Sequence, residues 1–288
     1  MSKLPSWFKQ EIPDTATLDR AQRLSQSGVR TVCQEALCPN LSFCLRRRSF
    51  TFLILGNTCT RNCRFCAVGK SANKTLCLDR GEPARVAKAV KDFGLDYVVI
   101  TSVTRDDLAD GGAEIFARTI ESLRQISANI KVEVLIPDFA GRILSLKVVL
   151  DARPHLVGHN IETVKRLYKD LRPEADYQLS LDILKKIKEI QPLIATKSSI
   201  MLGLGEGEEE VITAMQDLLN SGCDILTLGQ YLPPSKSHYP VKEFINIEQF
   251  EYYRVIGLGL GFKSVLAGPL IRSSYGAQEL YESTIISN

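Results

Sequence analysis

Residues 50–66 read FTFLILGNTCTRNCRFC. An apolar, partly aromatic run from Phe50 to Leu55 has the character of a short buried strand. Gly56 breaks it, and a loop carrying Cys59, Cys63 and Cys66 follows directly. A strand that ends in a loop of reactive residues is the unit from which the rest of the chain is built. Tyr97–Thr101 predicts a second strand and Lys131–Ile136 a third. Leu156–Gly158, Ser198–Leu202 and Ile225–Leu228 supply three more. Helical periodicity fills the gaps. Val86, Val90 and Phe93 share a face after Pro83, which suits a first turn. Val211, Met215 and Leu218 do so after the acidic run Glu206–Glu210, with Gly222 as the stop. Phe250, Tyr253, Ile256 and Leu260 form a further stripe closed by Gly261. These stripes read as core packing.

Alternating β and α segments predict parallel strands with right-handed crossovers. Six units are two short of a full eightfold barrel, so the expected fold is α/β, a partial (β/α)6 TIM-type barrel. A doubly wound sheet is the alternative arrangement. Three zones follow: an N-terminal extension over 1–48, the barrel over 49–262, and a C-terminal extension over 263–288. The polar and glycine-rich residues all follow predicted strands: the cysteine loop, Ser102–Gly112, Pro137-Asp138, His159-Asn160 with Glu162, Gly203–Glu206, and Gln230–Ser235. Active sites of such folds gather at the C-terminal ends of strands, so the chemistry is expected on one face.

Composition sets the outer limits. The 288 residues are 44% hydrophobic and 24% charged, ordinary for a globular chain. The longest apolar runs fall far short of the roughly 20 residues that span a bilayer. The N-terminus, MSKLPSWFKQEIPD, lacks the apolar stretch of a signal peptide and carries Glu11 and Asp14, against a transit peptide. A cytoplasmic protein with no membrane partner is expected. Thirty-six basic and 33 acidic residues give a net charge of +3, too balanced to imply nucleic acid. The one dense basic run, Arg46–Arg48, reads either as a solvated turn or as a docking patch for an acidic partner or phosphate.

The cysteines are the anomaly. There are eight, and six fall between Cys33 and Cys66. A reducing compartment does not favour disulfide staples, and core cysteines would be scattered, so the crowding asks for metal. Cys59, Cys63 and Cys66 are spaced C-x3-C-x2-C. Thiolates suit iron–sulfur clusters. Three on a tight loop can hold three irons of a [4Fe–4S] cube and leave the fourth open to a substrate or cofactor. A zinc site completed by His155, His159 or His238 is the competing reading. Cys33, Cys38 and Cys44, spaced C-x4-C-x5-C, suggest a second cluster, against zinc or simple packing. Cys223 reads as core and Cys77 as an ordinary thiol.

The first triple, with Phe65 just before its last cysteine, resembles the signature of the radical S-adenosylmethionine enzymes. The second triple upstream of it, and Arg272-Ser273-Ser274-Tyr275-Gly276-Ala277 near the C-terminus, narrow the resemblance to the lipoyl synthase family. NTCTRNCRFCAV, YVVITSVTRDDLADGGA, HNIETV, TKSSIMLGLGE, LTLGQYLPPS and HYPV extend it over residues 30–278. Ser199 and Thr104 depart from the expected glycine and aspartate. The resemblance implies two [4Fe–4S] clusters. Cys59, Cys63 and Cys66 hold the one that binds S-adenosylmethionine. Cys33, Cys38 and Cys44 hold an auxiliary one, with Ser274 as its fourth ligand and Ser273 as second choice, and the two extensions serving to hold it.

The implied reaction inserts two sulfur atoms, at C6 and C8 of an octanoyl chain amide-linked to a lysine of a carrier domain. A 5′-deoxyadenosyl radical removes each hydrogen, and the auxiliary cluster is the sulfur donor. The C–H bonds involved have no acidity, so an acid–base set is not required. His159, Asn160 and Glu162 become candidates for positioning cofactor or substrate. Gly111 and Gly112 resemble the family's methionine-binding glycines, with Glu114 displaced by one residue. Arg105 suits a carboxylate or a salt bridge with Asp106 or Asp107. Gly203 and Gly205 permit close backbone approach or a plain tight turn. Implied partners are octanoylated lipoyl carriers (2-oxoacid dehydrogenase E2, glycine-cleavage H protein), a ferredoxin or flavodoxin reductant, and a cluster-repair carrier. Competing functions are another two-cluster sulfur-inserting radical enzyme, a non-catalytic iron–sulfur or zinc scaffold, and an electron carrier.

Overall fold

The computed structural model describes residues 4–70 and 77–286. In chain order the elements are α1 (Thr15–Gln26), β1 (Arg30–Thr31), α2 (Val32–Glu35), α3 (Leu41–Arg46), β2 (Thr51–Ile54), β3 (Thr58–Cys59), β4 (Gly69–Lys70), α4 (Glu82–Phe93), β5 (Tyr97–Ser102), α5 (Ala113–Ile126), β6 (Lys131–Leu135), α6 (Ile143–Asp151), β7 (Leu156–Gly158), α7 (Tyr168–Leu171), α8 (Tyr177–Ile190), β8 (Ala195–Leu202), α9 (Glu208–Asn220), β9 (Ile225–Gln230), α10 (Ile247–Leu260), β10 (Ser264–Gly268) and α11 (Ala277–Ile286). All six predicted strands are present. Among the described residues they belong to an eight-stranded sheet of order β1-β2-β5-β6-β7-β8-β9-β10. Only β1 is antiparallel to its neighbour; every other pairing is parallel.

The sheet curls. In a flat sheet with strands about 4.8 Å apart, β2 and β9 would stand about 24 Å from each other. Instead Thr51 of β2, Thr101 of β5, Leu135 of β6, Ser199 of β8 and Gly229 of β9 line one cavity of about 260 Å³. Among the described residues no ladder joins β10 back to β1 or β2, so the barrel is open, as the six-unit count implies. Strand alternation assigns the two faces. Val98 and Ile100 of β5 join the apolar core with Val86 and Val90 of α4 and Phe116 and Ile120 of α5. Tyr97, Val99 and Thr101 point to interior cavities. Each fully buried large apolar side chain of this layer contributes about 1.5–3 kcal/mol.

Two features lay outside the sequence reading. A seventh parallel strand, β10, pairs with β9 from Ser264 to Gly268, beyond the last predicted unit. Its five residues end on the glycine of Gly268-Pro269 and carry little β-branching, which reads as a tail. β8 also starts three residues early, at Ala195. Its Lys197 is buried in an ion pair with Glu133 of β6, and the Tyr97 hydroxyl donates to Glu133 at 2.7 Å. Below this pair, Tyr281 of α11 packs with Leu156 and Ile225 and against the rings of Tyr97 and His155. The C-terminal helix therefore plugs the lower end of the barrel and leaves the upper end for chemistry. No helix among the described residues is long and apolar enough to cross a membrane.

Candidate active site between two cysteine triplets

The Cys59–Cys66 loop leaves β2 and is stitched down on several sides. Thr60 N–H donates to Thr104 O after β5 at 3.0 Å, Arg64 N–H to Leu171 O at 2.9 Å, and Tyr239 N–H to Arg64 O at 3.0 Å. The strongest tie is Arg61. Its guanidinium makes a fork to Asp138 (2.5 and 2.6 Å) and a second to Asp106 (2.9 and 3.1 Å). Such paired charge-assisted bonds fix both distance and orientation. Burial alone would raise the Asp138 carboxyl; the guanidinium outweighs it and holds the pKa below the ordinary value.

Cys59, Cys63 and Cys66 are mutual neighbours, partly exposed, with Glu162 close by. Burial raises the Cys63 thiol, and the Arg172 guanidinium beside it opposes that rise. Cys66 is pushed up to about 11, again chiefly by burial. Cys33 of α2 and Cys44 of α3 rise to about 11 and about 12 for the same reason, and each is coupled to Cys38. Thiols held this high are protonated at neutral pH until a metal displaces the proton.

One apolar cavity lies between the triplets. Cys33, Cys38 and Cys44 line one side, Phe65 and Cys66 another, and Arg272–Tyr275 a third. Ser273 and Ser274 both face it, in different situations. The Ser273 hydroxyl donates to Asn160 Oδ1 at 3.0 Å, whereas Ser274 makes no side-chain hydrogen bond among the described residues. Tyr275 stacks on Phe43 of α3 at 5.2 Å, which fastens the tail to the helix bearing Cys44. The segment can pass this close because Gly229 has no side chain: a Cβ there would stand 2.0 Å from Ile271 O.

A second, polar cavity of about 140 Å³ adjoins the first, and Asn160 and Glu162 line both. Arg61, Ser102, Thr104, Asp138, His159 and Arg172 complete it. His159 Nδ1 lies 2.9 Å from Ile136 O; burial first of all lowers its pKa to about 4. The ring is thus neutral, Nδ1–H donates to the carbonyl, and Nε2 is left as an acceptor with no partner among the described residues. Ser102 Oγ is likewise buried without a partner among the described residues. Orphaned buried polar atoms in a cleft mark a place for a polar ligand. Glu162 adopts φ +65°, a costly conformation for a non-glycine residue. Its backbone is held by bonds to Ser199 O and from Met201 N–H. Burial raises its carboxyl, while Arg172 and the Asn160 amide oppose that.

Several sequence candidates sit elsewhere. Arg105 forks to Asp107 at 2.8 and 2.7 Å and lines a separate cleft with Glu82 and Cys77. Gly111 and Gly112 lead into α5 against Phe139 and Leu55, and Glu114 pairs with Arg118. Gly203 packs against Gln230 and Glu243, and its N–H donates to Glu206 at 2.5 Å, which is tight-turn geometry. Gly205 faces Lys242. Of the candidate zinc histidines, His155 accepts from Val132 N–H near the barrel's lower end. His238 bonds Cys66 O and Ser235. Among the described residues no three His, Cys, Asp or Glu side chains converge as ligands of a single ion. Cys223 is buried, its thiol bonded to Ile225 O.

Residues 53–218 match the Radical SAM superfamily. The chain is 53% identical to the lipoyl synthase of Caldanaerobacter subterraneus subsp. tengcongensis over 274 residues, 95% of each chain. It is 47% identical to that of Alkaliphilus metalliredigens over 283 residues, 98% of this chain and 97% of the relative. This chain belongs to the lipoyl synthase family. Solved structures agree on the fold. The FeFe-hydrogenase maturase HydG from Carboxydothermus hydrogenoformans superposes with a TM-score of 0.61 at 12% identity, over 93% of this chain and 68% of that one. Methylornithine synthase superposes with a TM-score of 0.53 at 15% identity, over 74% and 70%. As a lipoyl synthase-family chain it is a sulfur-inserting radical S-adenosylmethionine enzyme, and that family implies a [4Fe–4S] cluster and S-adenosylmethionine.

The sequence singles out neither Arg61 nor Arg172 as a site candidate, and it marks Arg272 only as part of the motif that ends the chain's resemblance. Arg61 lies inside the cysteine motif, and its position there is a signal that was available. Arg172, held by Asn160 O, Ile161 O and the Tyr168 hydroxyl, precedes a proline in a loop and carries no local mark. Arg272 comes within reach of Cys38 only through the tertiary path of the tail.

Proposed function

We propose that the apolar cavity holds the octanoyl chain of a carrier-bound octanoyl-lysine between two [4Fe–4S] sites and that two sulfur atoms are inserted there, at C6 and C8. The carrying observation is that a single apolar cavity touches Cys66 on one side and Cys33, Cys38, Cys44 and Ser274 on the other. Ile200, Met201, Leu135 and Ile271 give the chain an apolar wall. Burying each methylene there is worth roughly 0.8 kcal/mol, and the wall keeps water from a reactive carbon.

The donor sets fit. Cys59, Cys63 and Cys66 supply three thiols with no fourth, and Cys33, Cys38 and Cys44 supply three with a hydroxyl, Ser274, facing the same cavity. When bound, the clusters and S-adenosylmethionine supply the electron, the radical and the sulfur. The polar cavity provides complementary groups for the cofactor's amino-acid end: Arg172 for a carboxylate, Glu162 for an ammonium, and His159 Nε2 as an acceptor for a hydroxyl or amine. Ser199 lines the apolar cavity and Thr104 the polar one, so the two departures from the family pattern fall on substrate and cofactor sides respectively. Residues 1–48 and 263–288 then hold the auxiliary site and 49–262 supply the catalytic barrel, with β10 of the last segment extending the barrel sheet. An octanoylated lipoyl domain or glycine-cleavage carrier is the substrate protein. A ferredoxin or flavodoxin provides electrons, and a repair carrier rebuilds the donor site.

Iron and sulfide per chain after anaerobic reconstitution test this reading. Wild type is expected to hold about eight irons, and the Cys33→Ala/Cys38→Ala/Cys44→Ala variant about four. About four in both would remove the sulfur donor. Zinc in place of iron would overturn the radical reading.

A further inference from the structure

The two cavities are joined by a chain of side-chain hydrogen bonds. The Ser273 hydroxyl donates to Asn160 Oδ1 at 3.0 Å, and Asn160 Nδ2 donates to Glu162 Oε1 at 3.0 Å. Asn160 is 9% exposed, and its backbone carbonyl accepts from Arg172 at 3.3 Å. The chain starts one residue from Ser274 and ends on a carboxylate lining both cavities. Ser274, the proposed weak ligand, has no hydrogen bond of its own among the described residues, so its position is set by its neighbours. Ser273 is the polar anchor beside it.

We infer that Ser273, Asn160 and Glu162 form a strut that seats Ser274 on the auxiliary site until a ligand in the polar cavity takes Glu162. The inference rests on the functional reading above. Asn160 and Ser273 are positioning residues in it. A ligand bearing an ammonium competes with the Asn160 amide for the Glu162 carboxylate. Asn160 then loses its second tether, Ser273 loses the fixed acceptor that held it, and Ser274 is free to leave. The auxiliary site would thereby open only when the cofactor is in place. This solves a real problem: a sulfur source that is open without cofactor loses iron uselessly.

The test follows iron removal from the reconstituted holoenzyme by a chelator, without reductant, with and without S-adenosylmethionine. The auxiliary phase is the one missing from the Cys33→Ala/Cys38→Ala/Cys44→Ala variant. In wild type, S-adenosylmethionine is expected to speed it roughly two- to tenfold, the scale of one hydrogen bond released. In Ser273→Ala and Asn160→Ala the phase is expected to be fast already and indifferent to the cofactor. The double variant should go no further than either single one, and Ser273→Thr should restore the response. Asn160→Asp, nearly isosteric, should behave as Asn160→Ala even if the latter folds poorly. Under turnover the strut variants should form more 5′-deoxyadenosine per sulfur inserted. A wild-type auxiliary phase that ignores S-adenosylmethionine, or single variants that respond as wild type does, would overturn the inference while leaving the two-cluster reading intact. A wild type with about four irons and no such phase would overturn both.

Discussion

The two cysteine triplets are built on opposite principles. Cys59, Cys63 and Cys66 sit on a loop nailed to the barrel mouth by charge: Arg61 to Asp138 and Asp106, with Arg172 beside Cys63. Cys33, Cys38 and Cys44 sit on and between two short helices in an apolar setting. They are held by packing, by the pairing of β1 with β2, and by a C-terminal tail that arrives from the far end of the chain. The first arrangement is rigid and polar, which suits repeated use with a charged cofactor. The second lies against a tail whose contacts with it are a ring stack, Tyr275 on Phe43, and a hydrogen bond from Asn40 to Leu270 O. Substitutions on each side test that difference.

The largest effect should come from the thiols themselves. Cys63→Ala is expected to reduce both 5′-deoxyadenosine and lipoyl product to background. Cys38→Ala is expected to abolish the lipoyl product while sparing 5′-deoxyadenosine. Chromatography of the nucleoside and mass spectrometry of an octanoyl-lysine peptide separate the two. If both variants lost both products alike, the division of labour between the triplets would be wrong.

Arg61→Ala tests the rigid side. Asp138 is 1% exposed, and removing the guanidinium that forks to it leaves a buried carboxylate without its ion-pair partner, a loss of about 3–5 kcal/mol readable by urea denaturation. The pH dependence has a definite sign. In wild type the folded-state pKa of Asp138 lies below its unfolded value of about 3.9. The pair's contribution is therefore complete above that value and is lost as pH falls through the folded pKa. In the variant, burial without the cation raises the Asp138 pKa, so protonation relieves the penalty. The stability gap between the proteins should be widest near neutrality and narrow toward pH 3. A gap that stays constant across that range would mean that Arg61 acts by packing.

How much of this comparison was legible in the sequence follows the same divide. The cysteine triplets and the six strands were readable because spacing and hydrophobic period are local, whereas Ser273 and Ser274 stood out only through the family resemblance. Arg105, Gly203 and Gly205 each carried two local readings, and the structure shows Arg105 in an ion pair with Asp107 and Gly203 in a turn closed by Glu206. Arg172, the orphaned Nε2 of His159 and the Ser273–Asn160 contact were silent, since each depends on residues brought together from different βα units. β10 and the start of β8 were silent for a related reason. Lys197 looks unsuited to a buried strand until Glu133 is placed opposite it, and Ser264–Gly268 has no strand signal apart from the neighbour it pairs with.

The same substitution in two places closes the comparison. Gly229→Ala would put a Cβ 2.0 Å from Ile271 O, a backbone atom that must give way. The tail carrying Ser274 would shift, and a displacement near 1 Å costs on the order of 100-fold in rate. Sulfur insertion should fall by about that much while 5′-deoxyadenosine formation persists, since the triplet at Cys59–Cys66 is untouched. Gly259→Ala, on the exposed side of α10 where a Cβ meets nothing within 4 Å, should leave both products unchanged. It should stabilise the fold by about 0.5–1 kcal/mol through helix propensity alone. The two variants add the same methyl group, so a difference between them isolates the path of the tail over β9. Equal losses at both positions would mean that insertion is sensitive to the barrel as a whole and that the tail has no special claim on it.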